Sequence, residues 1–129
     1  ALQWLAHQME EIHSLRVTLD VQEPARLPSI ELRVLLLQSV RELLFNVVKH
    51  AQTSSSTVYL RQEGDQLVVQ VIDQGCGFDT STYAHSPRQT ETFGLFSIHE
   101  RMQLFGGRLE ISSTPGQGTR ALLILPLAS

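Results

Sequence analysis

Three polar residues on one short stretch carry the chemistry of a cation and phosphate site. Arg41 to Ala51 (R-E-L-L-F-N-V-V-K-H-A) contains no Gly or Pro. Its apolar residues Leu43, Leu44, Val47 and Ala51, with Val40 before them, recur at spacings of three and four, the period of a helix with one face in a core. At about 100° per residue, Glu42 and Asn46 lie within roughly 40° of each other, Lys49 lies within roughly 20° of Glu42, and His50 sits at the edge of the stripe. Glu42 can handle a proton or a water, Asn46 offers a hard neutral oxygen to a cation such as Mg²⁺, and Lys49 meets phosphate as a point charge. The ordinary alternative is a solvated helix face, and the helix alone does not decide between them.

A second group gathers around glycines. Asp73 closes an apolar strand and precedes Gly75 and Gly77. A carboxylate at a strand end can accept a hydrogen bond from an exocyclic amine such as that of adenine, and glycines beside it let backbone approach a flat base. The same pattern also describes a plain turn. Gly94 stands between a polar stretch and a helix start, where free N–H groups suit phosphate, or it is only a hinge. Gly116, Gly118 and Thr119 make a tight turn into a strand. Cys76 reads as small filler between two glycines rather than as a reactive thiol. His50, His85 and His99 have no nucleophile or paired carboxylate beside them in sequence and read as surface or turn residues.

The elements that must position these groups follow from periodicity. Leu2 to Ile12 reads as a short amphipathic helix. Leu15 to Val21 alternates, with Leu15, Val17, Leu19 and Val21 on one face of a half-buried strand. Gln22 to Pro28 is a proline loop, Ser29 a candidate N-cap, and Leu32 to Ala51 the long helix. Thr57 to Gln62 and Leu67 to Asp73 read as an antiparallel hairpin turning at Glu63-Gly64-Asp65-Gln66. Both faces of its second strand carry apolar residues, which predicts a central place in the sheet. Thr80 to Thr92 is polar and aperiodic, a mobile loop. Ser97 and Glu100 form a capping-box pattern for a helix to Leu104 that stops at Gly106-Gly107. Arg108 to Ser113 and Thr119 to Leu127 are strands. The order predicts an α/β (α+β) two-layer sandwich: a mixed, mostly antiparallel sheet of about five strands, covered on one face by about three helices.

Composition narrows the function classes. The 129 residues suffice for one domain with its own core, and 42% hydrophobic against 18% charged residues is an ordinary globular balance. A net charge of −3 argues against a broad nucleic-acid surface. The single cysteine cannot form an internal disulfide, and the five histidines lack zinc-ligand spacing. No apolar run reaches the roughly 20 residues that span a bilayer, and no signal peptide is visible. The expected location is cytoplasmic. The chain opens without a Met and reads as a piece of a longer protein, whose other parts could be anchored in a membrane.

Four pieces in this order are specific where each alone is not. E-L-L-F-N-V-V-K-H-A resembles the N box of the GHKL ATPase superfamily, and D-Q-G-C-G-F its first glycine box. F-G-L-F-S-I-H-E-R-M resembles the second, and G-G-R-L-E-I-S-S-T-P-G-Q-G-T the closing segment and third. The wording is most similar to the ATP-binding catalytic domain of bacterial two-component sensor histidine kinases, in the short-lid subfamily that includes nitrate sensors and the desaturase-regulating thermosensor. The match runs from about Leu2 to Leu127.

The resemblance implies the Bergerat fold and Mg·ATP binding. It implies that Asn46 coordinates Mg²⁺, with Glu42 at the metal-associated or proton-handling position and Lys49 and His50 flanking the phosphates. Asp73 would bind the adenine amine in a pocket shaped by Gly75 and Gly77, supported by Thr119 through a water. Thr80 to Phe93 would be the lid, with Phe93, Gly94 and Leu95 at its phosphate-side hinge. Two positions depart from the pattern: Thr92 stands where a glycine is usual, and His99 where an Arg is usual. His7 is followed by Gln8 and His13 by Ser14, without the acidic residue that follows a phosphoacceptor histidine. The whole chain, 1–129, is therefore expected to be the catalytic domain, with the phosphoacceptor domain elsewhere in the parent protein. Its partners would be ATP, that phosphoacceptor domain and, indirectly, a response regulator, and the fragment alone would be a monomer that binds ATP without autophosphorylating. Two alternatives stand beside this: an anti-sigma-factor-type serine kinase, and a nucleotide-dependent interaction module without turnover.

Overall fold

The computed structural model describes residues 2–22, 29–77 and 95–127. Most of the expected proline loop (23–28) and the segment 78–94, with Thr92, Phe93 and Gly94, lie outside them.

Among the described residues the chain runs α1 (Leu2–His13), β1 (Arg16–Val21), α2 (Ile30–Asn46), a π-helical turn (Val47–Ala51), β2 (Ser55–Glu63), β3 (Gln66–Asp73), α3 (Leu95–Leu104), β4 (Arg108–Thr114) and β5 (Gly118–Pro126). The five strands form one sheet in the order β1-β2-β3-β5-β4. Only β1–β2 is parallel, with Arg16 opposite Ser55; the other three pairs are antiparallel. β3 occupies the middle, as its two apolar faces require, and Leu67, Val68, Val69 and Val71 are all buried.

Each helix lays one apolar stripe on the sheet. α1 contributes Leu5 and Met9, α3 contributes Leu95, Ile98 and Met102, and α2 contributes Val40, Leu43 and Leu44 with Val47 just past its end. These meet Val58, Val69, Val71, Leu123 and Leu125 in a single core, so the architecture is the expected two-layer sandwich. β1 turns Val17, Leu19 and Val21 to one side, each half-buried, as its alternation predicts.

Three local readings are corrected. Ser29 does cap the long helix, its side chain accepting the Leu32 N–H at 3.1 Å, but the helix starts at Ile30 rather than Leu32. Past Asn46 the helix widens into a π turn that ends at Gln52 in the left-handed region, φ 54°. Ser97 is no N-cap: α3 is already helical at Leu95, which is 2% exposed and shares the buried face with Ile98 and Met102. Burial of Leu95 outweighs the local capping pattern.

Candidate functional site

The end of α2 and the ends of β3 and β5 meet around one cavity. Its walls are Leu43, Asn46, Val47, His50 and Ala51 from the helical side, Val71, Asp73 and Gly77 from β3 and its turn, Leu95 at the start of α3, and Ile111, Thr119 and Ala121 from β4 and β5.

The π turn is fixed by the glycine turn that follows β3. The Cys76 N–H donates to the Ala51 carbonyl at 2.7 Å, and Cys76 Sγ donates to the His50 carbonyl at 3.0 Å. Carbonyls at a helix end need partners, and this contact supplies them while clamping two parts of the cavity wall together. The clamp depends on Gly75, because a Cβ there would stand 2.1 Å from the Ala51 carbonyl oxygen. The third glycine segment closes from the other side. The Gly116 N–H donates to the Cys76 carbonyl at 2.6 Å. Gly118 adopts φ 89°, and a Cβ there would lie 2.2 Å from the Asp73 carbonyl oxygen.

Asp73 is the one buried carboxylate among the described residues, 6% exposed. Its Oδ1 accepts the Gly75 N–H at 2.9 Å, and the Thr119 N–H also bonds the carboxyl. Burial pushes the carboxyl above its ordinary range, and the two N–H groups pull the other way without cancelling the effect. Asp73 thus presents acceptor oxygens in a largely apolar cavity, where an N–H donor replaces lost water best.

Asn46 and His50 enter the same cavity from the helix end. The two other polar residues of the stripe do not line it. Glu42 pairs with Arg101 of α3 at 2.5 Å, each side chain about a third exposed. Lys49 is exposed and sits 5.8 Å from the centroid of the Phe45 ring, with Arg41 over the same ring at 5.2 Å. The structure thus gathers Asn46, His50, Asp73, Gly77, Leu95 and Thr119, packs Gly75 behind them, and leaves Glu42 and Lys49 outside the lining. Phe93 and Gly94 lie outside the described residues.

The sequence reading missed Arg101 and Ser113. The Ser113 hydroxyl donates to the Gly118 carbonyl at 3.1 Å and lies 2.8 Å from the Thr119 hydroxyl. The pairing of Ser113 with Thr119 could not be seen without the β4–β5 register, which sets them opposite each other, and that of Arg101 with Glu42 joins two helices far apart in sequence.

A site for Mg²⁺ fits the donor set. Asn46 supplies a hard neutral oxygen at the cavity wall, and Mg²⁺ keeps most of its shell as water and phosphate oxygen, so one or two protein oxygens suffice. A flat amino-bearing base fits the other end, where Asp73 accepts and Val71, Ile111 and Ala121 offer an apolar wall.

Residues 31–129 match the family described as histidine kinase-, DNA gyrase B- and HSP90-like ATPase. A sensor-like histidine kinase of Chloroflexus aurantiacus is 41% identical over 95 residues, covering 73% of this chain and 16% of that protein. The blue-light activated histidine kinase of Erythrobacter litoralis EL346 superposes with a TM-score of 0.76 at 24% identity, over 98% of this chain and 40% of that one. The histidine kinase AdeS of Acinetobacter baumannii gives 0.78 at 13% identity, over 99% and 64%. The chain therefore spans only part of each relative. It belongs to the histidine kinase-, DNA gyrase B- and HSP90-like ATPase family.

Proposed function

We infer that the chain is the ATP-binding catalytic domain of a sensor histidine kinase, holding Mg·ATP and presenting its γ-phosphoryl to a histidine on a phosphoacceptor domain of the same parent protein. The observation that carries this is the pairing of Asp73 with Asn46 across one cavity: a buried acceptor held by two backbone N–H groups at one end, a hard oxygen donor at the other. Family membership and the likeness to histidine kinases support it.

In this reading Asp73 accepts the adenine amine, and Gly75 and Gly77 shape the base pocket by letting the turn pack tightly on Ala51 and on the Thr114 and Gly118 backbone. Thr119 supports Asp73, while Leu95, with Phe93 and Gly94 before it, lies toward the phosphates. Asn46 would hold Mg²⁺, which when bound would supply charge neutralisation at the phosphates, with Glu42, outside the cavity lining, at the metal-associated or proton-handling position. His50 stands at the phosphate end, and Lys49, on the exposed side of the turn, reaches phosphate only by leaving Phe45. Glu42 keeps its carboxylate in place through Arg101, one turn before Asn46. Catalysis then rests on position and charge.

The phosphoacceptor comes from elsewhere in this reading. His7 and His13 both lie on α1, which leads into β1 rather than into a second helix. The parent works at the cytoplasmic side and passes the phosphoryl to a response regulator, and this piece alone is a monomer that binds ATP without phosphorylating itself.

Calorimetric titration of ATP with and without Mg²⁺, into the wild-type chain and Asn46→Ala, tests the site. The wild type is expected to bind in both conditions and more tightly with Mg²⁺, and Asn46→Ala to lose the Mg²⁺-dependent part. An unchanged Mg²⁺ effect in Asn46→Ala removes Asn46 from the metal site.

A further inference from the structure

Asp73, Thr119 and Ser113 form one row across three strands. Asp73 is opposite Thr119 in the β3–β5 register, and Thr119 is opposite Ser113 in the β5–β4 register. Residues two apart on a strand share a face, so this row continues the face of Val71, Ala121 and Ile111, which line the cavity with Asp73 and Thr119.

The hydrogen bonds in the row have a direction. Ser113 Oγ donates to the Gly118 carbonyl at 3.1 Å, and Ser113 Oγ and Thr119 Oγ1 lie 2.8 Å apart. A hydroxyl carries one proton, and a carbonyl only accepts. Both bonds form together in one way: Thr119 gives its proton to Ser113, and Ser113 gives its own to Gly118. Thr119 then meets a ligand in the cavity with lone pairs. Beside it stands the Asp73 carboxyl, whose oxygens already accept two backbone N–H groups. The wall of the cavity is an acceptor next to an acceptor.

We propose that Ser113 is a specificity-determining residue, which orients the Thr119 hydroxyl so that the cavity selects a 6-amino purine nucleotide over its 6-oxo counterpart. This rests on the nucleotide reading above and deepens it. An exocyclic amine brings two N–H donors and satisfies both acceptors. A carbonyl oxygen in the same place faces two acceptors and finds no donor there, the kind of mismatch by which polar sites discriminate most strongly. Removing the Ser113 oxygen frees the Thr119 proton to turn toward the ligand, and the penalty on the oxo base falls.

The test compares ATP with inosine triphosphate, which replaces the amine by a carbonyl oxygen. Calorimetry with Mg²⁺ on the wild-type chain, Ser113→Ala and Ser113→Thr gives an affinity ratio for each. The wild type is expected to favour ATP. Ser113→Ala is expected to reduce that preference about five- to tenfold, the worth of one neutral hydrogen bond, and Ser113→Thr, which keeps the hydroxyl, to restore it. An equal loss of affinity for both nucleotides, or an unchanged ratio, overturns the assignment of Ser113 while leaving the nucleotide reading intact. Should Ser113→Ala not fold, Thr119→Val carries the test: removing the hydroxyl is expected to lower the preference, and an unchanged ratio overturns the proposal. Binding of neither nucleotide by the folded wild-type chain overturns the nucleotide reading and this assignment with it.

Discussion

Asp73 carries two opposed demands. It must be buried to offer an acceptor away from water, and burial penalises its charge. The folded chain therefore holds the Asp73 proton more tightly than the unfolded chain does. The stability of the wild type relative to Asp73→Asn is fully present below the ordinary value of 3.8 and is lost as pH rises through the higher folded value. Urea titrations of both proteins from about pH 3 to pH 7 check this, and a pH-independent difference would sink it. The same substitution replaces one carboxyl oxygen by an amide N–H₂ that cannot accept the amine, and Mg·ATP affinity is expected to fall roughly 10- to 100-fold. Asp73 was legible as a cavity residue because a strand end beside glycines has a recognisable composition, whereas Thr119 read from the residues alone as part of a tight turn and was set beside Asp73 only by the family resemblance. Ser113 was not legible, since its meaning is a partner on another strand, and cross-strand register is absent from local pattern. Lys49 was misplaced for a different reason. The stripe assumed about 100° per residue, but the chain widens into i→i+5 geometry after Asn46, and each later residue turns less. Lys49 comes to rest over Phe45 instead.

At the scale of elements, the glycine turns act as bearing surfaces between strands and helix. Gly75 touches the π turn so closely that any side chain must move backbone, with Ala51 O at 2.1 Å and Ala51 Cβ at 2.7 Å from the position of a Cβ. Gly64, at the β2–β3 turn, has nothing within 4 Å and only a positive φ of 62°. Gly75→Ala is expected to cost at least about 2 kcal/mol of unfolding free energy, and Gly64→Ala only about 1 kcal/mol, from the left-handed backbone. Denaturant midpoints at a common m-value rank the two, and equal losses would mean that the clamp onto Ala51 yields easily. The hairpin around Gly64 was legible because its turn residues announce it. The parallel pairing of β1 with β2 was not. Alternation in Arg16–Val21 says that one face is buried and says nothing about the direction of a neighbour. The misread start of α3 belongs here too, since the S-x-x-E spacing is local while the burial that fixes Leu95 comes from the rest of the fold.

At the scale of the whole molecule, the sheet divides by sequence distance. β2 with β3 and β4 with β5 are hairpins joined by short turns, whereas β1–β2 brings Arg16 to Ser55 and β3–β5 brings Gln66 to Pro126. Nearby pairings form readily, and distant ones wait on loop closure. The β3–β5 contact is the seam between an early part of the chain, ending at Gly77, and a late part, beginning at Leu95. The candidate cavity lies on that seam, with Asn46, His50 and Asp73 from one side and Leu95, Ile111, Thr119 and Ala121 from the other. A ligand seated there is a non-covalent staple between two peptides. A chain supplied as residues 1–77 and 78–129 is expected to reassemble by fragment complementation, and Mg·ATP to favour the joined form by mass action. Co-elution of the two pieces in size-exclusion chromatography, with and without nucleotide, reads this directly. Nucleotide-independent association, in a chain whose intact form binds Mg·ATP, would show that the β3–β5 ladder alone holds the halves together. In the expected case, occupancy of the pocket reports on the integrity of the whole sheet, and the two halves become a split sensor for their own ligand.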